Sequence, residues 1–322
     1  MRRRTGKDQY GNPMSYLDIW DEPFDRKAKE LGVDLGHCPV CGNDPQAYED
    51  SACPGERECI DHIFYLKTLL AGGLTPRQWG FDWTTAEPTS ITEAVEAYLD
   101  GFDEWLEHGI GFTLLARYGA GKTLALARIV MYGLEQERAC KLVTFEQIIS
   151  AYQREDADKF EHDLKRLCLL AVDEIIAPVS EAQASLFHRF TSVIDARYEA
   201  GRPVLLAANL SAAEMEEHYP AVFSRLQEKS LFVDCPDIDF RRRRGLTKAD
   251  RSLRLPPRIR EAKSRREREP APRRERQSVH ERLEAIRAKT TRANTIEQAP
   301  ITFAERARHV PPIVSEQERM TP

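Results

Sequence analysis

The chain has 322 residues, 41% hydrophobic and 31% charged, with a formal net charge of −5. That length suits two domains, or one of about 200 residues with appendages; the apolar share suffices for a buried core, and the charge places part of the chain outside it. No apolar run reaches the ~18 residues of a membrane span, and the basic start of "MRRRTGKDQYGNPMSYLDIW" has no apolar segment behind it. It therefore does not read as a signal peptide, and a cytoplasmic protein is expected.

The charge is unevenly spread. Residues 241–322 carry 23 Lys/Arg against 11 Asp/Glu, a net of +12, which leaves −17 on residues 1–240. A basic arm on an acidic body points to nucleic acid or an acidic partner.

In chain order, residues 1–36 form a polar, weakly patterned N-terminal segment, and residues 37–75 a metal-binding module with its linker. Four of the seven cysteines lie in "HCPVCGNDPQAYEDSACPGERECIDH". In a reducing compartment such clustering points to metal rather than disulfides. "CPVCG" puts two thiolates on a tight turn closed by Gly42, which gives tetrahedral zinc its first two ligands. Cys38, Cys41, Cys53 and Cys59 are expected to hold one Zn2+. The looser spacing of the second pair leaves room for His62 or His37 to replace a cysteine. Four-ligand closure makes the site structural, and it would fold a stretch too short for an apolar core of its own.

Residues 76–245 alternate strand-like and helix-like segments, the pattern of an α/β domain. Strands are expected at 111–116, 141–145, 167–172, 203–209 and 230–234. Helices are expected at 122–137, 145–154, 181–200 and as a shorter pair within 211–227. Apolar runs with little alternation fit strands buried on both faces.

Between the first strand and the first helix of this series lies "ARYGAGKT", residues 116–123, in the strand–loop–helix context that a phosphate-binding loop requires. Tyr118, Gly119, Ala120 and Gly121 would wrap the phosphates with backbone N–H groups. Lys122 would reach the β- and γ-phosphates, and the Thr123 hydroxyl would ligate Mg2+. The usual G-x-x-x-x-G-K-[ST] spacing starts here with Ala116, which is tolerable at a strand end if its φ is ordinary.

"LCLLAVDEI" brings two acids to the end of a buried strand. Asp173 is expected to hold Mg2+ through its water shell, and Glu174 to polarise the attacking water. Acids after strands also cap helices, but downstream of a phosphate loop that reading is the weaker one. Asn209, closing "PVLLAAN", is a candidate to position the lytic water or touch the γ-phosphate, against an ordinary N-cap role. A lone Arg225, in "AVFSRLQEK", is usually a surface charge; in a ring of subunits it can cross to a neighbour's γ-phosphate.

Residues 246–322 are rich in Arg, Glu and Pro and poor in aromatics, which predicts a basic, disordered tail. Within it Val279, Leu283 and Ile286 share a helical face, read as a transient solvated helix or a docking stripe.

Together, "GAGKTLALA", "LLAVDEI", "IDARYEAGRPVLLAANLSAAEM" and "VFSRL" resemble the AAA+ ATPases of the bacterial DnaC/DnaI helicase-loader and IstB group, over roughly residues 105–243. The RYE, NLS and SRL series is the most specific part, since generic phosphate-loop enzymes lack it. The resemblance implies an α/β AAA+ P-loop core without a full lid domain, ATP hydrolysis with Mg2+, and homo-oligomerisation. It also implies single-stranded DNA binding and delivery of the hexameric replicative helicase to DNA. By position Asn209 is similar to sensor 1, Arg225 to the arginine finger, and Arg241 to the arginine that ends the core. The sequence departs from the family at Ala116, where glycine is usual, and at Ala208, where Thr or Ser is common. Some loaders carry an N-terminal zinc module, which favours a loader over an IstB-type transposition helper. A nucleotide-gated DNA-binding adaptor with weak hydrolysis is the alternative from another class. A kinase is disfavoured, because the Asp-Glu pair and Arg225 serve water activation, which a kinase must exclude.

Overall fold

The computed structural model describes residues 24–39, 56–116, 118–151, 157–178, 181–235 and 239–240. Within them, β1 (Gly111–Leu115), β2 (Cys140–Thr144), β3 (Leu169–Ile175), β4 (Val204–Ala208) and β5 (Ser230–Asp234) form one sheet. The order is β2-β3-β4-β1-β5, and every neighbouring pair is parallel. β4 is buried along its whole length and β3 at every residue but Glu174, which explains why these strands read as continuous apolar runs rather than alternating ones.

The helices are α1 (Phe24–Glu30), α2 (Glu56–Ala71), α3 (Pro76–Trp79), α4 (Ser90–Asp100), α5 (Phe102–His108), α6 (Lys122–Glu135), α7 (Phe145–Ala151), α8 (Ala157–Arg166), α9 (Glu181–Glu199), α10 (Ala212–His218) and α11 (Pro220–Lys229). A helix-flanked parallel sheet with a glycine-rich loop between β1 and α6 is a P-loop nucleotide-binding core, the fold class expected from the sequence.

The expected elements after residue 110 are present, with their ends shifted by a few residues. One shift matters: β3 runs on through Asp173 and Glu174 to Ile175, so both acids belong to the strand rather than following it. Helix α8 and the five helices before β1 carry no expectation from the sequence. In α8 most positions are polar, and the buried face consists of Ala157 and Leu164, too little apolar signal to stand out before packing is known. α4 was legible in principle. Thr89 accepts from the Thr92 N–H, and Thr92 reaches back to the Thr89 N–H, a reciprocal cap of the capping-box kind.

Residues 56–74 join the same core as the sheet. Leu69, Leu70 and Leu74 are fully buried, and the Tyr65 hydroxyl donates to Glu135 Oε1 on α6 at 2.6 Å. The turn after α2 covers the sheet edge, where the Leu142 N–H of β2 donates to Gly72 O at 2.8 Å. An edge strand left bare invites pairing with other chains. From α1, Lys27 Nζ caps the end of α2 by donating to Leu70 O at 2.9 Å.

Arg197, in the RYE series, is a structural clamp. It is fully buried and donates to Leu164 O at 2.8 Å, Leu167 O at 2.9 Å and Pro203 O at 2.8 Å. It thereby ties the end of α8 and the entries to β3 and β4 to α9. Burial, and then the neighbouring Arg202, push its pKa down to about 9.

Candidate nucleotide site

The loop between β1 and α6 is shaped by two left-handed glycines, Gly119 at φ +89° and Gly121 at φ +93°, conformations that a side chain disfavours. Gly121 is the N-cap of α6 and offers no side chain to its first turn, which also contains no acid. The first N–H groups of that 14-residue helix receive no cap from the N-cap side chain, and with the helix dipole they suit an anion. Tyr118 is exposed and Ala120 buried. Thr123 lies in the first turn of α6, one residue after Lys122.

Lys122 is only 6% exposed. Its Nζ donates to Ala116 O at 2.6 Å and to Asn209 Oδ1 at 3.0 Å. The lysine thus joins the phosphate loop to the end of β4, and Asn209 meets it there. The non-glycine residues with positive φ among those described are Glu137 and Glu174, so Ala116 keeps an ordinary backbone. Its N–H pairs with Ala208 O at 3.2 Å, and nothing in its conformation calls for glycine.

On the next strand, Val172 pairs with Leu206 but Ile175 pairs with Ala208. β3 thus spends one extra residue against β4, a bulge of the kind that re-aims side chains near active sites. Glu174 takes φ +60° and is exposed, whereas Asp173 is only 5% exposed. Asp173 Oδ1 accepts the Glu174 N–H at 2.8 Å, which anchors the Asp173 carboxylate to the backbone of the bulge. Because the order is β3-β4-β1, the Asp-Glu pair, Asn209 and the phosphate loop share the carboxyl ends of three adjacent strands, where ligands of open α/β sheets bind.

Arg225 lies elsewhere. With Gly109, Gly201 and Val204 it lines a small pocket at the amino ends of β1 and β4, the opposite end of the strands from Lys122. Its Nε is 2.9 Å from Asp195 Oδ1, an ion pair too oblique for a hydrogen bond. Nη1 donates to Ala221 O at 2.9 Å, and the guanidinium sits 5.6 Å from the Tyr198 ring centre. Asp195 and Tyr198, which hold it, belong to the IDARYE stretch that carried the resemblance, but no role attached to them there. Their signal is their place on the same α9 turns as Arg197.

The segment expected to bind metal is described in part. Cys38 and Cys59 are buried, and Cys38 Sγ lies 3.4 Å from His62 Nδ1. Two ligands of one tetrahedral zinc, with Zn–S ~2.3 Å and Zn–N ~2.0–2.1 Å, stand about 3.5 Å apart, so this spacing fits a shared metal as well as a thiol–imidazole hydrogen bond. His37 Nδ1 is bonded to Asp34 Oδ2 at 2.8 Å, leaving Nε2 for another partner. Cys41 and Cys53 lie outside the described residues, as do Arg241, Val279, Leu283, Ile286 and the whole expected tail. Among the described residues no three potential ligands come together, and no helix is long and apolar enough to cross a membrane.

No protein-family model matches the sequence, and no curated protein matches it. Among solved structures, the chain is similar to the DnaC helicase loader, with a TM-score of 0.42, 18% identity, and 49% of this chain and 99% of that one covered. It is similar to DnaI, with a TM-score of 0.42, 15% identity, and 48% and 89% covered. Domain III of the Thermotoga maritima replication initiation protein DnaA gives a TM-score of 0.40, 14% identity, and 66% and 95% covered. At such values what those proteins do does not pass to this chain. The fold rests on the sheet order and the loop.

Proposed function

We propose that this chain is an AAA+ ATPase that loads the replicative helicase onto single-stranded DNA. The observation that carries the ATPase reading is the meeting of Lys122 with Asn209, beside Asp173 and Glu174, at the carboxyl ends of β1, β4 and β3. Tyr118 to Thr123 bind the triphosphate, and Thr123 and Asp173 hold Mg2+, which neutralises charge on the transferred phosphoryl group. Glu174 polarises the lytic water, Asn209 positions it, and Arg225 serves the site of a neighbouring subunit in a homo-oligomer.

The loader reading is supported by the motif series GAGKT, DEI, RYE, NLS and SRL and by the cysteine module. In that module Cys38, Cys41, Cys53 and Cys59 hold Zn2+, with His62 the best-placed histidine to replace one of them. The purified protein should contain one zinc per chain, and Cys38→Ser should lose it. Metal-free protein with freely titrating thiols would contradict the module.

The partner is tested by capturing partners of full-length Glu174→Gln with ATP from its native host. A hexameric helicase should co-purify. A transposase in its place selects the transposition-helper reading, and DNA alone selects the adaptor.

A further inference from the structure

We propose that Asp239 and Phe240 form the nucleoside wall of the nucleotide site, with Phe240 against the base and Asp239 accepting a nucleoside N–H or O–H. This rests on the reading of residues 118–123 as a phosphate loop. Strand order sets the direction of the nucleotide. The groups that suit a terminal phosphate, Asn209 with Lys122 and the Asp-Glu pair, lie on β4 and β3, to one side of β1. A triphosphate laid across the start of α6 with that end over β4 leaves its nucleoside on the other side of β1, where β5 lies.

The chain leaving β5 returns to the loop. The Phe240 N–H donates to Gly119 O at 3.1 Å, and the Asp239 carboxylate lies so close to Gly119 that a Cβ there would collide with it. This contact gives Gly119 a second reason to be glycine besides its φ. Phe240 is half-buried, yet among the described residues it is not packed into the hydrophobic core. A half-hidden ring beside a phosphate loop, uncommitted to the core, suits a flat aromatic partner such as a purine. Asp239 accepts only when ionised and would repel a phosphate chain, whereas a nucleoside offers it donors.

Calorimetric titration of the full-length protein with Mg·ATP and with Mg·tripolyphosphate separates the two halves of the ligand. Phe240→Ala should weaken ATP about tenfold, the size of a lost base–aromatic stack, and leave tripolyphosphate unchanged; Phe240→Trp should restore ATP. Asp239→Asn should weaken ATP without weakening tripolyphosphate. ATP affinity unchanged in both variants would overturn the proposal. So would equal strengthening of both ligands by Asp239→Asn, which would make Asp239 a barrier to phosphate. Failure of the phosphate-loop reading shows separately, as tripolyphosphate binding that survives Lys122→Ala.

Discussion

At φ +60°, Glu174 holds a left-handed conformation that costs a side-chain-bearing residue about 1–2 kcal/mol. Such strain gathers at functional sites, and here it turns Glu174 outward while Asp173 stays buried. Glu174→Gln should therefore keep ATP binding and lose hydrolysis in a steady-state phosphate-release assay. Glu174→Gly should lose hydrolysis too but keep or raise thermal stability, since glycine relieves the strain. A fall of more than about 1 kcal/mol, the scale of glycine's entropic cost, would contradict the strain. The adjacent acids were legible as a motif, but the bulge was not, because it exists only in the register against β4. Arg197 shows the reverse: the RYE series marked the resemblance, and the structure spends its arginine on backbone carbonyls. Arg197→Met strips buried acceptors of their donor, at about 1–3 kcal/mol each. It should lower the unfolding midpoint in denaturant while the protein that stays folded still binds ATP.

Among the elements, α1 and α2 bring a half-buried amine against the sheet domain. The pKa of Lys27 is pushed down to about 8, first by burial and then by Lys141. Between about pH 8 and the ordinary 10.5 the unfolded chain holds this proton and the folded chain does not, so stability from this group rises with pH. Below pH 8 charge burial opposes folding by a constant amount. Relative to Lys27→Met, the wild type should gain thermal stability from pH 7 to pH 10; an unchanged difference would mean Lys27 is solvated. None of this was legible in the sequence. A lysine on a seven-residue helix reads as surface until Leu70 O is found above it. The sheet strands were legible because burial on both faces leaves unbroken apolar runs, whereas α8 shows a short stripe that acquires meaning only against its neighbours.

For the whole molecule, the two ends of the strands carry different halves of the proposed chemistry. Arg225 sits opposite Lys122, paired with Asp195, so a chain cannot use both in one site, and the proposed role of Arg225 requires a neighbouring subunit. Arg225→Ala and Glu174→Gln should each be inactive alone. Mixed, they should recover activity that rises with protein concentration; no recovery in a demonstrably mixed oligomer would remove Arg225 from catalysis. The +12 charge of residues 241–322 should contribute salt-sensitive DNA affinity through counterion release. Truncation after residue 250 should then flatten the slope of log affinity against log salt, and an unchanged slope would assign the tail to another partner. All of this depends on the triphosphate lying at the start of α6. Equilibrium binding of ATP with Mg2+ to the wild type, Lys122→Ala and Glu174→Gln tests that most directly. The account predicts binding by the wild type and by Glu174→Gln and none by Lys122→Ala; unchanged affinity in Lys122→Ala would contradict it.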